Sequence, residues 1–508
     1  MSKGDPLFEL IYSLSKSEKR YFKLYSLRHT VNENNNSVKL FNIIEKRRGG
    51  SDNDKGTIDF SSVKNIRFVK HYLHKQILKS LVAFHSRGSV KSTLRDQLHC
   101  IEILLEKKLI TQAEKLVQQT KILAQKNEQY FYLAEATKFE IEINSMTGYK
   151  GKSLVDVDRI YADFDELFDL SKNLLSYRQL SDHFFLNLYK NARMSDETKI
   201  SGIKKLMKSP LMKSKNKALS NYALLRFYRC NCVYYFLMCD YNKVSEYVSD
   251  EIELIEHKAQ FIKEAPDYLF TSYCNLFVAK FYNHDFKEVP AVLEKLKSLQ
   301  AQTVAQKENN LIMATLFEIG YYNALGQFNK AVEIAAKNRR KMELILEKDK
   351  QRAMEFYYCL GYAYMGLNNY KLSNQHLQKI MDVSFKGIGE DMYCLTRIIL
   401  LINYYEMGKM DLLEYAAKSL YKFLLQKDHL YKFEKVLLEF VKDKLPIINN
   451  KRTLIVALKT IRNELEEIAK DKFENKSFLR FDFLSWLESK IAGRPFAETI
   501  RTRLPVKR

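Results

Sequence analysis

Residues 356–380, FYYCLGYAYMGLNNYKLSNQHLQKI, decide how the rest of this sequence is read. Tyr357, Leu360, Gly361 and Tyr364 recur at helical spacing, so large and small side chains share one stripe of a first helix. Tyr370 opens a second helix, with Ser373 and Leu377 four residues apart on its inner side. Large residues on the first helix interlock with the small residue on the second. Two antiparallel helices can then approach closely.

Working outward, the same hinge recurs with different residues. Residues 324–338 supply Gly326, Phe328, Ala331 and Ala335 after Tyr322, and residues 403–420 supply Tyr404, Gly408, Met410, Leu413 and Ala417. Phe286, Val289 and Leu293 mark another, as do Tyr235, Tyr241, Val244 and Val248, and Leu104, Ile110, Ala113 and Val117. The anchors 241, 286, 328, 370 and 410 stand 45, 42, 42 and 40 residues apart. Two further hairpins are expected between 129 and 215. The first unit, W-x2-L-G-x2-Y with Tyr in the Trp position, resembles a tetratricopeptide repeat. The longer period predicts helices about a turn longer than that family's standard repeat. The resemblance covers roughly residues 91–445. It implies an all-α fold, a right-handed α-solenoid of antiparallel helical hairpins in which each hairpin buries its faces against its neighbours.

The resemblance also implies a groove that takes a protein or peptide partner along the inner face of the leading helices. Mapped onto this chain, that face carries Arg226, Arg229, Asn323, Tyr358, Tyr362 and Tyr405. Tyrosines there offer large contact area at low entropic cost, or serve only to pack between repeats. Relatives that clamp chaperone tails carry Lys and Asn where this chain has Tyr358 and Tyr362, so no such clamp is expected.

The flanks differ from the repeats. Residues 446–508 form amphipathic capping helices, with Gly493 and Pro495 as a stop signal, Trp486 plugging the core, and a basic tail. Residues 1–90 form a separate helical domain. Of the chain's +22 net charge, residues 1–95 hold 19 Lys/Arg against 8 Asp/Glu, a net +11. Ser15 and Glu18 fit a capping box that starts a helix at Lys16. Lys16, Lys19, Arg20 and Lys23 then share one arc, opposite Tyr21, Phe22, Leu24 and Tyr25. On the next long helix Ile66, Val69, Leu73 and Ile77 make the buried stripe, and Lys64, Arg67, Lys70, Lys75 and Lys79 spread opposite it.

From Phe60 to Arg95 there are eight cations and no acid. A solvated face of a Lys-rich protein is one reading. A phosphate-contacting surface is the other, since surface bases ordinarily have acids one helical turn away. About six phosphate contacts would give a log–log salt slope of roughly −5. No base-reading motif accompanies these cations, so any contact with RNA or DNA would read backbone shape and charge.

Catalytic chemistry is not expected, and neither is a cofactor or metal. Gly151-Lys152-Ser153 ends like a P-loop, but Met146 stands where its first glycine belongs. His71 and His74 lack companion ligands, and Cys230 and Cys232 point to different sides of a helix. The seven cysteines follow no ligand spacing and read as reduced and buried. Neither a secretory signal nor a membrane span is read, which places the protein in the cytoplasm. Hydrophobic content of 46% is ample for folding, and 16 Gly with 7 Pro leave few breaks in long helices. The expectation is a non-catalytic scaffold that binds a protein or peptide, or a nucleic-acid-associated protein docking through its first 90 residues. The oligomeric state is not legible.

Overall fold

A computed structural model describes residues 5–28, 36–47, 65–86, 88–190, 197–258, 266–301, 303–347, 349–382, 390–426, 431–445, 448, 450–471 and 474–504. Among these residues every regular element is helical and there is no strand. The chain divides into two compact units, Met1–Ser171 and Lys172–Arg508.

In the first unit, α1 (Pro6–Ser13), α2 (Lys16–Arg28), α3 (Asn36–Arg47) and α4 (Ile66–His85) close on one core. Leu7, Ile11, Phe22, Leu40, Phe41, Ile44, Leu73 and Ile77 fill it. The capping box forms as expected: Glu18 N donates to Ser15 Oγ at 3.2 Å, and Ser15 N donates to Glu18 Oε2 at 2.6 Å. A second core joins α5 (Val90–Glu106), α6 (Ile110–Lys126) and α7 (Tyr130–Met146) through Leu98, Ile101, Leu105, Ala113, Val117 and Ala136.

Two hairpins were expected over 129–215, and here the structure differs. After α7 a single helix α8 (Leu154–Lys190) runs for 37 residues, followed by α9 (Glu197–Met207). Residues 154–190 contain neither Gly nor Pro, so nothing in them breaks the helix. The cysteine reading also needs correcting, because Cys239 and Cys359 are only half-buried and Cys100 is exposed. It lies one position before Ile101, off the buried stripe of Leu94, Leu98, Ile101 and Leu105.

The second unit continues with α10 (Asn221–Leu237), α11 (Tyr241–His257), α12 (Pro266–Tyr282), α13 (Val289–Ser298), α14 (Val304–Ala324) and α15 (Phe328–Leu346). There follow α16 (Lys350–Gly366), α17 (Tyr370–Met381), α18 (Glu390–Glu406), α19 (Met410–Gln426), α20 (Lys432–Glu439) and α21 (Lys451–Ile468). From α10 to α19 each helix packs on the next, and α12, α14, α16 and α18 also touch in series. That order of contacts fits a helical-repeat solenoid.

Each hinge repeats one backbone solution. Asp240, Asp285, Gln327, Asn369 and Lys409 donate their N–H to the carbonyls of Tyr235, Lys280, Tyr322, Tyr364 and Tyr404, every one at 2.9 Å. This is the six-to-one bond of a Schellman ending. The residue just before each donor is left-handed: Cys239, His284, Gly326, Asn368 and Gly408, with φ from 57° to 67°. The sequence anchors Tyr241, Phe286, Phe328, Tyr370 and Met410 each follow two residues later.

Within residues 356–380 the expected interlock is present. A Cβ at Gly361 would lie 2.5 Å from Leu377 Cδ2, and one at Gly366 would lie 2.3 Å from the Phe328 ring. Ser373 Oγ donates to the Gly361 carbonyl at 2.7 Å and accepts from Asn403 Nδ2 at 2.8 Å, tying α16 to α17 and α18.

The last helices are α22 (Asn475–Arg480), α23 (Phe483–Ala492) and α24 (Phe496–Arg503). Residues expected as a basic tail are therefore helical as far as Arg503, with Phe496 and Ile500 buried. Phe496 stacks on Phe328 at 5.8 Å. Gly326 has a positive φ, and a Cβ there would sit 2.7 Å from the Ala497 carbonyl, so only glycine admits both the turn and the docked helix.

Candidate functional site

The inner stripe of α16 runs Glu355, Tyr358 and Cys359, Tyr362, one turn apart at each step. Residues 474–504 lie against it. Tyr358 is buried, and its hydroxyl donates to the Arg480 carbonyl at 3.3 Å. Tyr362 is buried among the rings of Phe328, Phe481 and Phe496, with Phe481 at 5.0 Å. Burial raises both phenols well above the usual range, so both stay neutral. Asn323, on α14, donates from Nδ2 to the Cys359 carbonyl at 2.9 Å. Its Oδ1 is buried without a hydrogen-bond partner among the described residues.

Tyr405 is half-buried and meets the edge of Trp486 at 6.2 Å. Trp486 Nε1 donates to Glu406 Oε1 at 2.8 Å, and Lys490 Nζ lies 2.7 Å from Glu406 Oε2. Further along, Glu474 accepts backbone N–H bonds from Lys432 at 3.0 Å and Phe433 at 3.4 Å, capping α20. The segment is thus held by aromatic packing, by one tyrosine hydroxyl, by Glu474 at its start and by Glu406 against its middle helix.

A cavity of about 690 Å³ opens between α12, α14 and α16 on one side and α22–α24 on the other. Phe277, Phe281, Met313, Leu316 and Phe317 give it an apolar wall, and its polar lining includes His284, Asn323, Glu355, Cys359, Arg480, Asp482 and Arg503. Glu355 is half-buried. Desolvation raises its carboxyl above the usual range, against the opposing fields of Arg480 and Arg352. Cys359 is pushed up to about 12 by burial, which makes it an inert thiol.

Of the six groove residues expected from sequence, Asn323, Tyr358 and Tyr362 come together at this cavity, and Tyr405 joins the Trp486 cluster. Arg226 and Arg229 do not join them. Arg229 Nε lies 2.8 Å from Glu251 Oε1 and its guanidinium 4.4 Å from the Tyr268 ring. Glu251 also accepts from Ser272 Oγ at 2.8 Å, so one buried carboxylate ties α10, α11 and α12. Arg226 is half-buried beside them, and desolvation lowers its pKa. Arg229 thus ties helices together and is engaged within the packing. The sequence reading also missed Glu355, although it lies three residues before Tyr358 on the same stripe.

The cations of the first unit divide into two groups. Lys19 and Lys23 pair with Glu45 at 3.4 and 2.8 Å, and Lys70 pairs with Asp5 at 2.7 Å. Their partners stand 22 to 65 positions away, and the Lys70 pair corrects in part the inference that the acid-free stretch 60–95 lacks compensating carboxylates. Lys16, Arg20, Arg67, Lys75 and Lys79 are exposed, and none has an ion pair among the described residues. Lys64 lies outside the described residues. Phe68 is 71% exposed and stacks parallel to Tyr72 at 6.4 Å. Both lie on the face of α4 that carries Lys75 and Lys79.

Among the described residues no group of three His, Cys, Asp or Glu side chains could hold a metal ion. No described helix is long and apolar enough to cross a membrane. The apolar stretch at 394–405 instead lies in α18, buried with Leu395, Ile398, Ile399 and Leu401 in the main core. No protein-family profile matches the chain, and no curated protein matches it either.

Proposed function

We propose that this chain is a non-catalytic cytoplasmic scaffold that binds a polypeptide segment on the inner face of its repeats. In this reading the second unit is a right-handed α-solenoid of tetratricopeptide-like antiparallel hairpins. One observation carries the proposal: the inner-face residues Tyr358, Tyr362 and Tyr405 already receive a polypeptide, the chain's own residues 480–486. A surface that seats one helix–joint–helix segment through tyrosines suits another of similar composition, in competition with the first. The test is capture from native lysate, with nuclease present and a synthetic peptide of residues 474–504 as competitor. A polypeptide partner survives nuclease and is displaced by the peptide. Capture that nuclease removes entirely overturns the reading.

The second reading, docking on nucleic acid, is favoured by the exposed Lys75 and Lys79, which share a face of α4 with the Phe68–Tyr72 stack, together with the exposed Lys16, Arg20 and Arg67. Cations follow a phosphate chain while flat rings receive unpaired bases. If all five contact phosphates of a single strand, the log–log salt slope is roughly −3.5. Charge reversal at Lys16, Arg20, Lys75 and Lys79 abolishes binding at unchanged helix content. An ultraviolet absorbance ratio free of nucleic acid after low-salt purification counts against it.

A further inference from the structure

Two helices of the first unit each leave a face in solvent, and the two faces share one spacing. On α4 the residues Phe68, Tyr72, Lys75, Lys79 and Val82 step by four, three, four and three positions. On the first part of α8, Leu154, Asp158, Tyr161, Asp165 and Phe168 step identically. Such steps hold the side chains in one arc and form the seam of paired helices in a coiled coil. All ten residues are exposed. Phe68 and Val82 stand 71% and 70% in solvent, and Leu154 and Phe168 84% and 56%. Each helix meets its own core elsewhere, α4 through Leu73 and Ile77 and this part of α8 through Leu167.

Single exposed apolar residues need no explanation. Here they recur in register with opposite charge. Residues 154–170 hold six Asp/Glu against one Arg, a net −5 in a chain of net +22, whereas residues 66–85 contain no acid. Lys75, Lys79, Asp158 and Asp165 have no ion pair among the described residues.

We propose that a second copy of this chain occupies both stripes, α4 of one copy lying along residues 154–168 of another. Whether the helices run parallel or antiparallel, Lys75 falls opposite the Tyr161 ring, while Lys79 and Tyr72 each fall opposite an Asp. Apolar side chains meet at both ends. The centre is thus a cation on an aromatic ring, flanked by an ion pair and by a hydroxyl that donates to a carboxylate. Within one chain both stripes are in solvent, so neither covers the other and a second molecule supplies the complement. Two copies that exchange both contacts close into a dimer, and an unreciprocated contact grows a chain. A stretch of 15 helical residues spans about 21 Å, so each contact is small and the association weak.

This inference concerns the first unit and leaves the scaffold reading of the second untouched. It shares α4 with the nucleic-acid reading, but residues 154–168 have no part in that one, so substitutions there separate the two.

The test is sedimentation velocity on the full, nuclease-treated chain. At about 50 mM salt the wild type passes from monomer to a larger species between about 1 and 100 μM, and about 500 mM salt weakens the association about tenfold or more. Asp158→Lys with Asp165→Lys stays monomeric, and so does Lys75→Asp with Lys79→Asp, each at wild-type helix content by circular dichroism. Mixing these two double variants restores association, since each supplies the charge the other lacks. The chain carrying all four substitutions associates by itself. A wild type still monomeric at about 100 μM in low salt, association indifferent to either reversal, or a mixture that stays monomeric overturns the proposal. So does a wild type that stays monomeric yet binds a single-stranded oligonucleotide through α4 or a basic peptide through residues 154–168, which assigns those faces to other occupants.

Discussion

The α1–α4 core and the α14–α18 region face the same problem, charged and polar side chains placed on amphipathic helices, and settle it differently. In the first, carboxylates from α1, α2 and α3 reach across to cations and a histidine on neighbouring helices, while Lys16, Arg20, Lys46, Arg67, Lys75 and Lys79 and the rings of Phe68 and Tyr72 stay exposed. In the second, the polar groups point inward and the chain's own final helices cover them, leaving Asn323 Oδ1 at a cavity without a hydrogen-bond partner among the described residues. What each region offers a partner is the remainder after internal pairing. A surface remainder suits a polyanion, and an enclosed one suits a competing segment.

The sharpest way to break this comparison lies in its ion pairs. Glu251 is fully buried and its partner Arg229 nearly so, whereas Asp5 and Lys70 keep a quarter to a third of their side chains in water. Glu251→Ala strands a buried guanidinium and costs about 3–5 kcal/mol. Replacing both members with apolar residues of similar volume restores most of that. Equilibrium urea denaturation reads both values. A loss under about 1 kcal/mol for the single substitution removes the distinction between the half-exposed pairs of α1–α4 and the buried pair that joins α10 to α11.

A smaller effect is expected at the interlock. Gly366→Ala drives a methyl group into the buried Phe328 ring, and overpacking of this kind costs about 1–3 kcal/mol. Gly408→Ala, with nothing near its Cβ, meets only backbone strain of about 1 kcal/mol. Thermal melts of the two variants should rank in that order. The reverse ranking would mean that helix contact is looser than residues 356–380 suggest.

Much of the architecture was legible because it is local. The stripe from Tyr357 to Tyr364, the small Ser373 and the Ser15–Glu18 box are settled within a turn or two of helix. Two of five hinges stayed faint because Cys239 and His284 adopt the left-handed conformation without being glycine, whereas the Asn368 hinge was legible from the stripes on either side of it. The 37-residue α8 escaped because absence of a breaker leaves no positive mark. At the candidate site, the helical period put Tyr358 and Tyr362 on the inner face, and one step back would have added Glu355. Nothing local revealed that residues 474–504 would cover that face, since Tyr358 meets Arg480 across 122 positions. The partners of Lys19, Lys23 and Lys70 were hidden in the same way. Charge counts within a window do not see carboxylates from another helix.

The least of the expected effects separates the two regions by acid. Asp5, Glu18 and Glu45 titrate below the usual carboxylate range. Burial opposes this, but Lys70 and the Leu7 N–H hold Asp5, Ser15 and His85 hold Glu18, and Lys23 and Lys19 hold Glu45. Their folded pKa values are depressed, so the stability they give is present above the unfolded values near pH ~4 and is lost as pH falls through the folded ones. Glu355 runs the other way. Its folded pKa is raised by burial, so it is a penalty at neutral pH that is relieved as the folded state takes its proton first. Hydrogen exchange on peptides from residues 66–85 and 350–366, followed from about pH 6 to about pH 3, should show the first losing protection before the second. Lys70→Ala removes one contributor and, with a quarter of its side chain in solvent, costs only about 0.2–1 kcal/mol. Its effect shrinks towards the acid end, as Asp5 begins to take up its proton. An equal Lys70→Ala effect at both ends of that range would show that the pair acts by packing on Phe8, whose ring lies 5.4 Å from the ammonium, and that charge contributes nothing.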